Sequence, residues 1–269
     1  MPSSPPNSQG KPSIESICLF GAEGTGKSRA VFEIALWHQN RGSDATFYVV
    51  DTDNSYERMM LPGSEYHDLE NLVVWEATDW SEALDAAKEA KAKATSREDW
   101  IIMDRYGILW GWVQDHFIEM MFGKAGKNEL VADYWEMARK QTSDARLDGY
   151  KDWQYINKIW HELSVRTLHR AKCNVLTICT EVMMQDKGGS FADSAKNYED
   201  FGRMNHKPDG QKGIPSDHHT VIRMVNKGRG RFEMTAARDR QPRDAQDLQG
   251  VDVGNFWLPY LVQKAKWTI

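Results

Sequence analysis

Eight consecutive residues, Gly21-Ala22-Glu23-Gly24-Thr25-Gly26-Lys27-Ser28, fill every fixed position of the pattern G-x-x-x-x-G-K-[ST]. The chemistry these residue types support at this spacing is phosphate binding. The three glycines let the backbone come close to a ligand, so that successive N–H groups can point at phosphate oxygens. Lys27 brings a point charge to the outer phosphates, and the Ser28 hydroxyl can ligate Mg²⁺. Arg29 follows directly and closes the stretch expected to contact nucleotide.

Short glycine-rich patterns recur by chance, so the flanking residues decide. Ser16-Ile17-Cys18-Leu19-Phe20 is an apolar run that suits a buried strand, and Val31, Ile34 and Ala35 lie at helical spacing within Ser28 to Trp37. Strand, glycine loop and helix in that order place phosphate at a helix N-terminus, where unpaired N–H groups and the dipole favour an anion.

Carboxylates arrive at strand ends farther along. Ala45 to Val50 is a β-rich run that ends in Asp51-Thr52-Asp53, and Trp100-Ile101-Ile102-Met103 delivers Asp104. The C-terminal ends of buried strands face the crevice where ligands bind in open α/β sheets. Asp104 therefore reads as the metal-side carboxylate, holding Mg²⁺ through water, or else as a cap on the next turn. Asn174 to Thr180 is another buried strand and ends at Glu181, which could sense a γ-phosphate or cap a loop. Arg238 and Arg240 are two apart, so on a strand they share a face. They are either surface arginines or fingers reaching a neighbouring subunit's ATP.

The elements that must position these groups alternate β and α. Leu72 to Trp75 reads as a strand, and Asp79 with Glu82 as a capping box opening a helix to Lys93. Trp110 to Lys172 reads as mostly helical. Val113, Phe117, Met120 and Met121 form one core stripe there, and Trp153, Ile156, Trp160 and Leu163 another. Asn54 to His67 is polar and turn-rich, and Val182 to His219 is a long polar, glycine-rich loop. His206, His218 and His219 lack a cysteine pair or a familiar zinc spacing. Thr220 to Val225 and Arg231 to Ala236 read as a C-terminal hairpin, and Phe256 to Tyr260 as a cap packing back on the core.

At 269 residues, 41% hydrophobic and 27% charged, the chain has the composition of a soluble globular protein. No apolar run is long enough to span a bilayer, and the first residues have no apolar stretch of the secretory kind. The net charge of −5 argues against coating nucleic acid over the whole surface. The charge is uneven, with 15 Asp/Glu against 5 Lys/Arg over residues 44–104 and 7 Lys/Arg against Asp209 and Asp217 over 202–231. A polyanion would meet the later segment. Three cysteines, Cys18, Cys173 and Cys179, read as reduced core residues of a cytoplasmic protein.

The order of parts resembles the RecA-like ATPases, in particular the phage-encoded nucleotide-binding proteins that act as single-strand-annealing recombinases. GAEGTGKS carries Glu23 where the recombinase loop has a glutamate, and YVVDTD is similar to the family's strand ending in a catalytic carboxylate. LVVWEATDWSEALDAA followed by WIIMDRYG, and DWQYINKIWHEL before NVLTICTE, follow the family's order, and ARDR sits where it places inter-subunit basic fingers.

The resemblance implies an α/β fold: a RecA-like P-loop NTPase with a mostly parallel sheet flanked by helices and a C-terminal hairpin. Residues 13–243 would form the ATPase domain, between a disordered tail at 1–12 and an extension at 244–269. ATP and Mg²⁺ would be bound, with Asp53 the general base and Asp51 in reserve. Arg238 and Arg240 would complete the site across a homo-oligomer interface. Single-stranded DNA would be met by Lys187 to Lys212, with Phe191 or Tyr198 stacking on bases. The rival readings are a packaging or helicase-type motor, a nucleoside monophosphate kinase with Arg58 at its substrate, and a non-hydrolytic ATP-binding switch.

Overall fold

The apolar runs become strands buried on both faces. The computed structural model describes residues 14–122, 149–184, 201–202, 204–229, 231–239 and 251–252. In chain order the long strands are β1 (Ser16–Phe20), β2 (Phe47–Asp51), β3 (Leu72–Glu76), β4 (Trp100–Asp104), β5 (Asn174–Cys179), β8 (Thr220–Gly228) and β9 (Arg231–Asp239). A short antiparallel pair, β6 (Glu181–Met183) and β7 (His206–Pro208), lies between β5 and β8 in the chain, and β10 (Val251–Asp252) edges the main sheet. The main sheet has the order β10-β9-β8-β1-β5-β4-β2-β3. Its strands from β8 to β3 are parallel, and β9 and β10 add antiparallel at one side.

Helices cover both faces, because successive side chains on each strand point to opposite sides. Ile17 and Leu19 of β1 pack under α1 (Lys27–Asn40) and α2 (Ser55–Met59) with Phe32 and Tyr56. Cys18 and Phe20 face the other side, towards α3 (Trp80–Lys93), α4 (Leu109–Phe122) and α5 (Gly149–His161). α5 runs on as a π-helical segment, Glu162–His169, and a short α6 (Ile214–Asp217) precedes β8.

The cap of α3 forms with a shift of one residue. Asp79 accepts from Glu82 N–H at 3.0 Å, whereas Glu82 reaches back to Thr78, N–H and hydroxyl both at 2.8 Å. The two helical stripes are only partly core. Val113, Phe117, Ile156, Trp160 and Leu163 are buried, but Met120, Met121 and Trp153 are 65%, 48% and 39% exposed. The three cysteines are free thiols and buried. No helix among the described residues is long and apolar enough to cross a membrane.

Register brings the chemistry to one edge. Phe20 is level with Cys179, Ile178 with Asp104, and Asp104 with Asp51. The loop after β1 and the acidic ends of β2 and β4 therefore share the carboxyl edge of the sheet. β5, inserted between β1 and β4, carries Thr180 and Glu181 to the same edge.

Candidate functional site

Residues 21–26 wrap from β1 into α1 as a tight turn that the β8–β9 hairpin backs. A Cβ on Gly21 would collide with the Met224 carbonyl oxygen of β8, so only glycine fits there. Gly26 sits at φ 84, a left-handed conformation that glycine adopts at little cost. The Asn226 amide of β8 donates to the Gly24 carbonyl at 3.1 Å, and Phe232 of β9 lies over Gly26. The Ala30 N–H donates to the Gly26 carbonyl at 3.0 Å, so the N–H groups of Lys27, Ser28 and Arg29 precede the first helical donor. Those donors are open to an anion.

Lys27 is buried and folds back on its own loop. Its Nζ donates to the carbonyls of Gly21 and Ala22 at 2.9 and 2.7 Å, and to Thr25 Oγ1 at 3.3 Å. Burial lowers its pKa, while Asp104 and Glu181 act to raise it. Thr25 Oγ1 in turn donates to the Ala22 carbonyl at 2.8 Å, which fixes the loop crown that holds Glu23 outward.

Ser28 Oγ donates to Asp104 Oδ2 at 2.7 Å across 76 positions of sequence. Asp104 is buried, and its carboxyl is pushed up to about 7, chiefly by burial and further by Asp53 and Asp51, against the Ser28 hydrogen bond and Lys27. Its strand end is tied to that of β2, because Thr52 N–H donates to the Asp104 carbonyl at 2.6 Å and Arg105 N–H to Thr52 Oγ1 at 2.8 Å.

The two carboxylates after β2 have different environments. Asp51 is buried, with Oδ1 accepting from Asp53 N–H at 3.2 Å and Oδ2 from Tyr56 N–H at 3.0 Å, so it shapes the turn into α2. Burial raises its pKa while those two backbone bonds lower it. The Asp53 side chain is 34% exposed, and its Oδ2 lies 3.7 Å from Arg105 Nη1.

Glu181 is committed to an ion pair. Arg223 of β8 donates to both its oxygens, Nε at 2.8 Å and Nη2 at 3.2 Å, and His206 Nε2 lies 3.9 Å away. Arg29 is likewise occupied, with Glu33 at 3.0 Å, Tyr66 Oη at 3.1 Å and Glu65 at 3.4 Å. Beside the loop a cleft of about 440 Å³ is lined by Ala22, Glu23, Arg105, Thr180, Glu181, Met183 and His206.

Arg238 lies elsewhere. It pairs with Val221 on β8, which is level with Cys18, and it donates to the Pro215 carbonyl at 3.2 Å. β8 runs parallel to β1, so β9 descends away from the glycine loop and carries Arg238 towards the opposite edge. Arg240, Lys187, Phe191, Tyr198 and the Phe256–Tyr260 cap lie outside the described residues. His218 is used within the core, by the Ile214 carbonyl at 2.7 Å and Thr177 Oγ1 at 2.9 Å.

Two residues at this edge were not singled out in the sequence, Arg223 and Tyr56, and Arg105 entered only through the likeness of Asp104-Arg105-Tyr106 to the kinase motif DRY. Tyr56 is fully buried, its ring packed on Phe32 at 4.9 Å between centroids. Its hydroxyl is close enough to the acidic cluster that burial, Asp104 and Asp51 lift its pKa well above the ordinary phenol value. It leans on the Asp104 carboxylate without closing a hydrogen bond of ordinary geometry to any partner among the described residues.

No three His, Cys, Asp or Glu side chains among the described residues converge as a metal cage. A cation here would depend on Ser28, Asp104, water and ligand oxygens, the sparse protein ligation that suits Mg²⁺. The Ser28–Asp104 pair and the unpaired Tyr56 hydroxyl fit that group.

No protein-family model matches the chain, and no curated protein is significantly similar to it in sequence.

Proposed function

We propose that the chain binds ATP with Mg²⁺ at the carboxyl edge of its sheet and hydrolyses it. The observation that carries this reading is the 2.7 Å bond between Ser28 and Asp104. It joins a hydroxyl at the start of α1 to a buried carboxylate beside open N–H groups and a buried lysine, a donor set that would hold Mg²⁺ next to a bound phosphate. Mg²⁺, when bound, supplies charge neutralisation of those phosphates. Lys27 exchanges its loop carbonyls for phosphate oxygens, and the N–H groups at the start of α1 bind the remainder. Asp53 orients or deprotonates the attacking water, with the Arg105 guanidinium 3.7 Å from its carboxylate. Asp51 and Glu181 take no proton in this scheme, since backbone N–H groups and Arg223 occupy them.

The finer reading is a RecA-like ATPase of DNA recombination or single-strand annealing, and it rests on the sequence resemblance. The exposed side chains of Lys212, Lys227, Arg229 and Arg231 support contact with a polyanion on the 202–231 segment. Because Arg238 lies away from its own glycine loop, a role for it at an ATP site requires a neighbouring subunit in a homo-oligomer.

The test is Mg²⁺-dependent ATP hydrolysis with and without single-stranded DNA, with Lys27→Ala as the blank. Turnover stimulated by DNA, with DNA affinity falling steeply as salt rises, supports the reading in full. Turnover indifferent to DNA favours a motor, or a kinase if phosphate passes to a nucleoside monophosphate. Tight ATP binding without turnover favours a switch.

A further inference from the structure

The hydroxyl of Tyr56 approaches the Asp104 carboxylate without closing a hydrogen bond of ordinary geometry on it. The residue is completely buried, and its Oη meets no hydrogen-bond partner among the described residues. A buried unpaired hydroxyl costs free energy, and phenylalanine would fill the same volume without that cost. A tyrosine at such a position points to a bond with the nearby Asp104 carboxylate that closes fully when a ligand is bound.

Two contacts place the residue beside the Asp104 and Asp51 carboxylates that act on its hydroxyl. The Tyr56 N–H is bonded to Asp51 Oδ2 at 3.0 Å, so the side chain starts at the carboxyl edge of the sheet. Its ring packs against Phe32, which lies one helical turn beyond Ser28 on α1. The phenol is thus held between the second turn of α1 and the acidic strand ends at the carboxyl edge. The carboxylate of Asp104 has Ser28 as its one donor at hydrogen-bond geometry among the described residues. A buried carboxylate serving a cation needs its remaining lone pairs directed, and residues that do this from behind a ligand set both its orientation and its affinity.

Resting on the nucleotide and Mg²⁺ reading above, we propose that Tyr56 is a positioning residue of the cation site, its hydroxyl donating to the Asp104 carboxylate once the site is loaded. Ser28 and Tyr56 would then hold Asp104 from two sides.

The experiment compares wild type, Tyr56→Phe and, as a blank, Asp104→Asn in the full chain, titrating Mn²⁺ in the presence of ADP by electron paramagnetic resonance. Tyr56→Phe keeps the ring and its packing. The expected result is Mn²⁺ affinity weakened by about 10–100-fold, with ADP affinity in chelator unchanged and the metal-free urea midpoint equal to wild type or higher. Mn²⁺ affinity equal to wild type overturns the proposal alone. A lowered metal-free midpoint also overturns it, since the hydroxyl then serves the fold. Absence of Mn²⁺–ADP binding in wild type overturns both this proposal and the nucleotide reading.

Discussion

Arg223 grips Glu181 through both carboxylate oxygens, at 2.8 and 3.2 Å, at the point where the chain leaves β5 for β6. The pair joins the edge of β8 to the exit of β5, on either side of the glycine loop's own strand. With both side chains under a fifth exposed, removing one partner leaves a poorly solvated charge. Glu181→Ala is expected to lower stability by about 2–3 kcal/mol in urea unfolding. Glu181→Gln is expected to retain turnover within about tenfold of wild type. A loss of 10²–10⁴-fold, the size a general base contributes, would reassign Glu181 to the chemistry.

Asp51 and Asp53 are two residues apart and should separate cleanly by mutation. Asp51→Asn places an amide against the N–H groups of Asp53 and Tyr56, so one donor faces another. It should cost about 1–3 kcal/mol of stability. Asp53→Asn removes a third-exposed carboxylate with one loose ion pair. It should leave stability within about 0.5 kcal/mol of wild type and cut ATP turnover by about 10²–10⁴-fold. ATPase rates and urea midpoints on the same two variants check both halves, and equal kinetic losses would show that the assignment of the base is wrong.

What the sequence made legible was local. Ser16 to Phe20 with its glycine loop, and Trp100 to Met103 ending in Asp104, carry their meaning within ten residues: a strand buried on both faces must be apolar throughout, and its polar ending marks the edge. The hairpin was also visible, but its polarity was not. That β8 runs parallel to β1, sending Arg238 away from the loop, depends on which strand it pairs with. The Glu181–Arg223 pair spans 42 positions and two strands, so it follows from sheet order rather than spacing. Tyr56 sits in α2, a five-residue helix too short to show a period within a polar stretch. Met120 and Met121 kept the period of a core stripe after α4 had passed beyond its described packing partners.

The approach of Gly21 to β8 gives a mechanical prediction. Any side chain there must push the loop from the Met224 carbonyl, and backbone on both sides resists. Gly21→Ala should cost about 1–3 kcal/mol by overpacking and misalign the N–H groups behind Lys27. Nucleotide affinity is expected to fall at least about tenfold, measured by isothermal titration with ADP and Mg²⁺. Wild-type affinity in Gly21→Ala would mean that the loop is not the phosphate contact.

Asp104 makes metal-free stability depend on pH in a direction opposite to that of an ordinary paired carboxylate. Its folded pKa is raised from 3.8 to about 7, so between those values the folded state holds a proton that the unfolded chain has released. Stability therefore falls as pH rises through this window and levels off above it, by up to about 4 kcal/mol at roughly 1.4 kcal/mol per unit. His38 acts in the opposite sense. Its pKa is lowered to about 4, chiefly by burial, so its contribution grows as pH rises from about 4 to its ordinary 6.5. The two partly cancel in wild type, and the difference between wild type and Asp104→Asn isolates the carboxylate. In chelator, Asp104→Asn should gain on wild type steadily between pH 5 and pH 7.5 in urea midpoint, because the asparagine escapes the ionisation penalty while His38 is common to both. Added Mg²⁺ and ADP should reverse the order above pH 7, since the loaded site uses the charge that the empty one pays to bury.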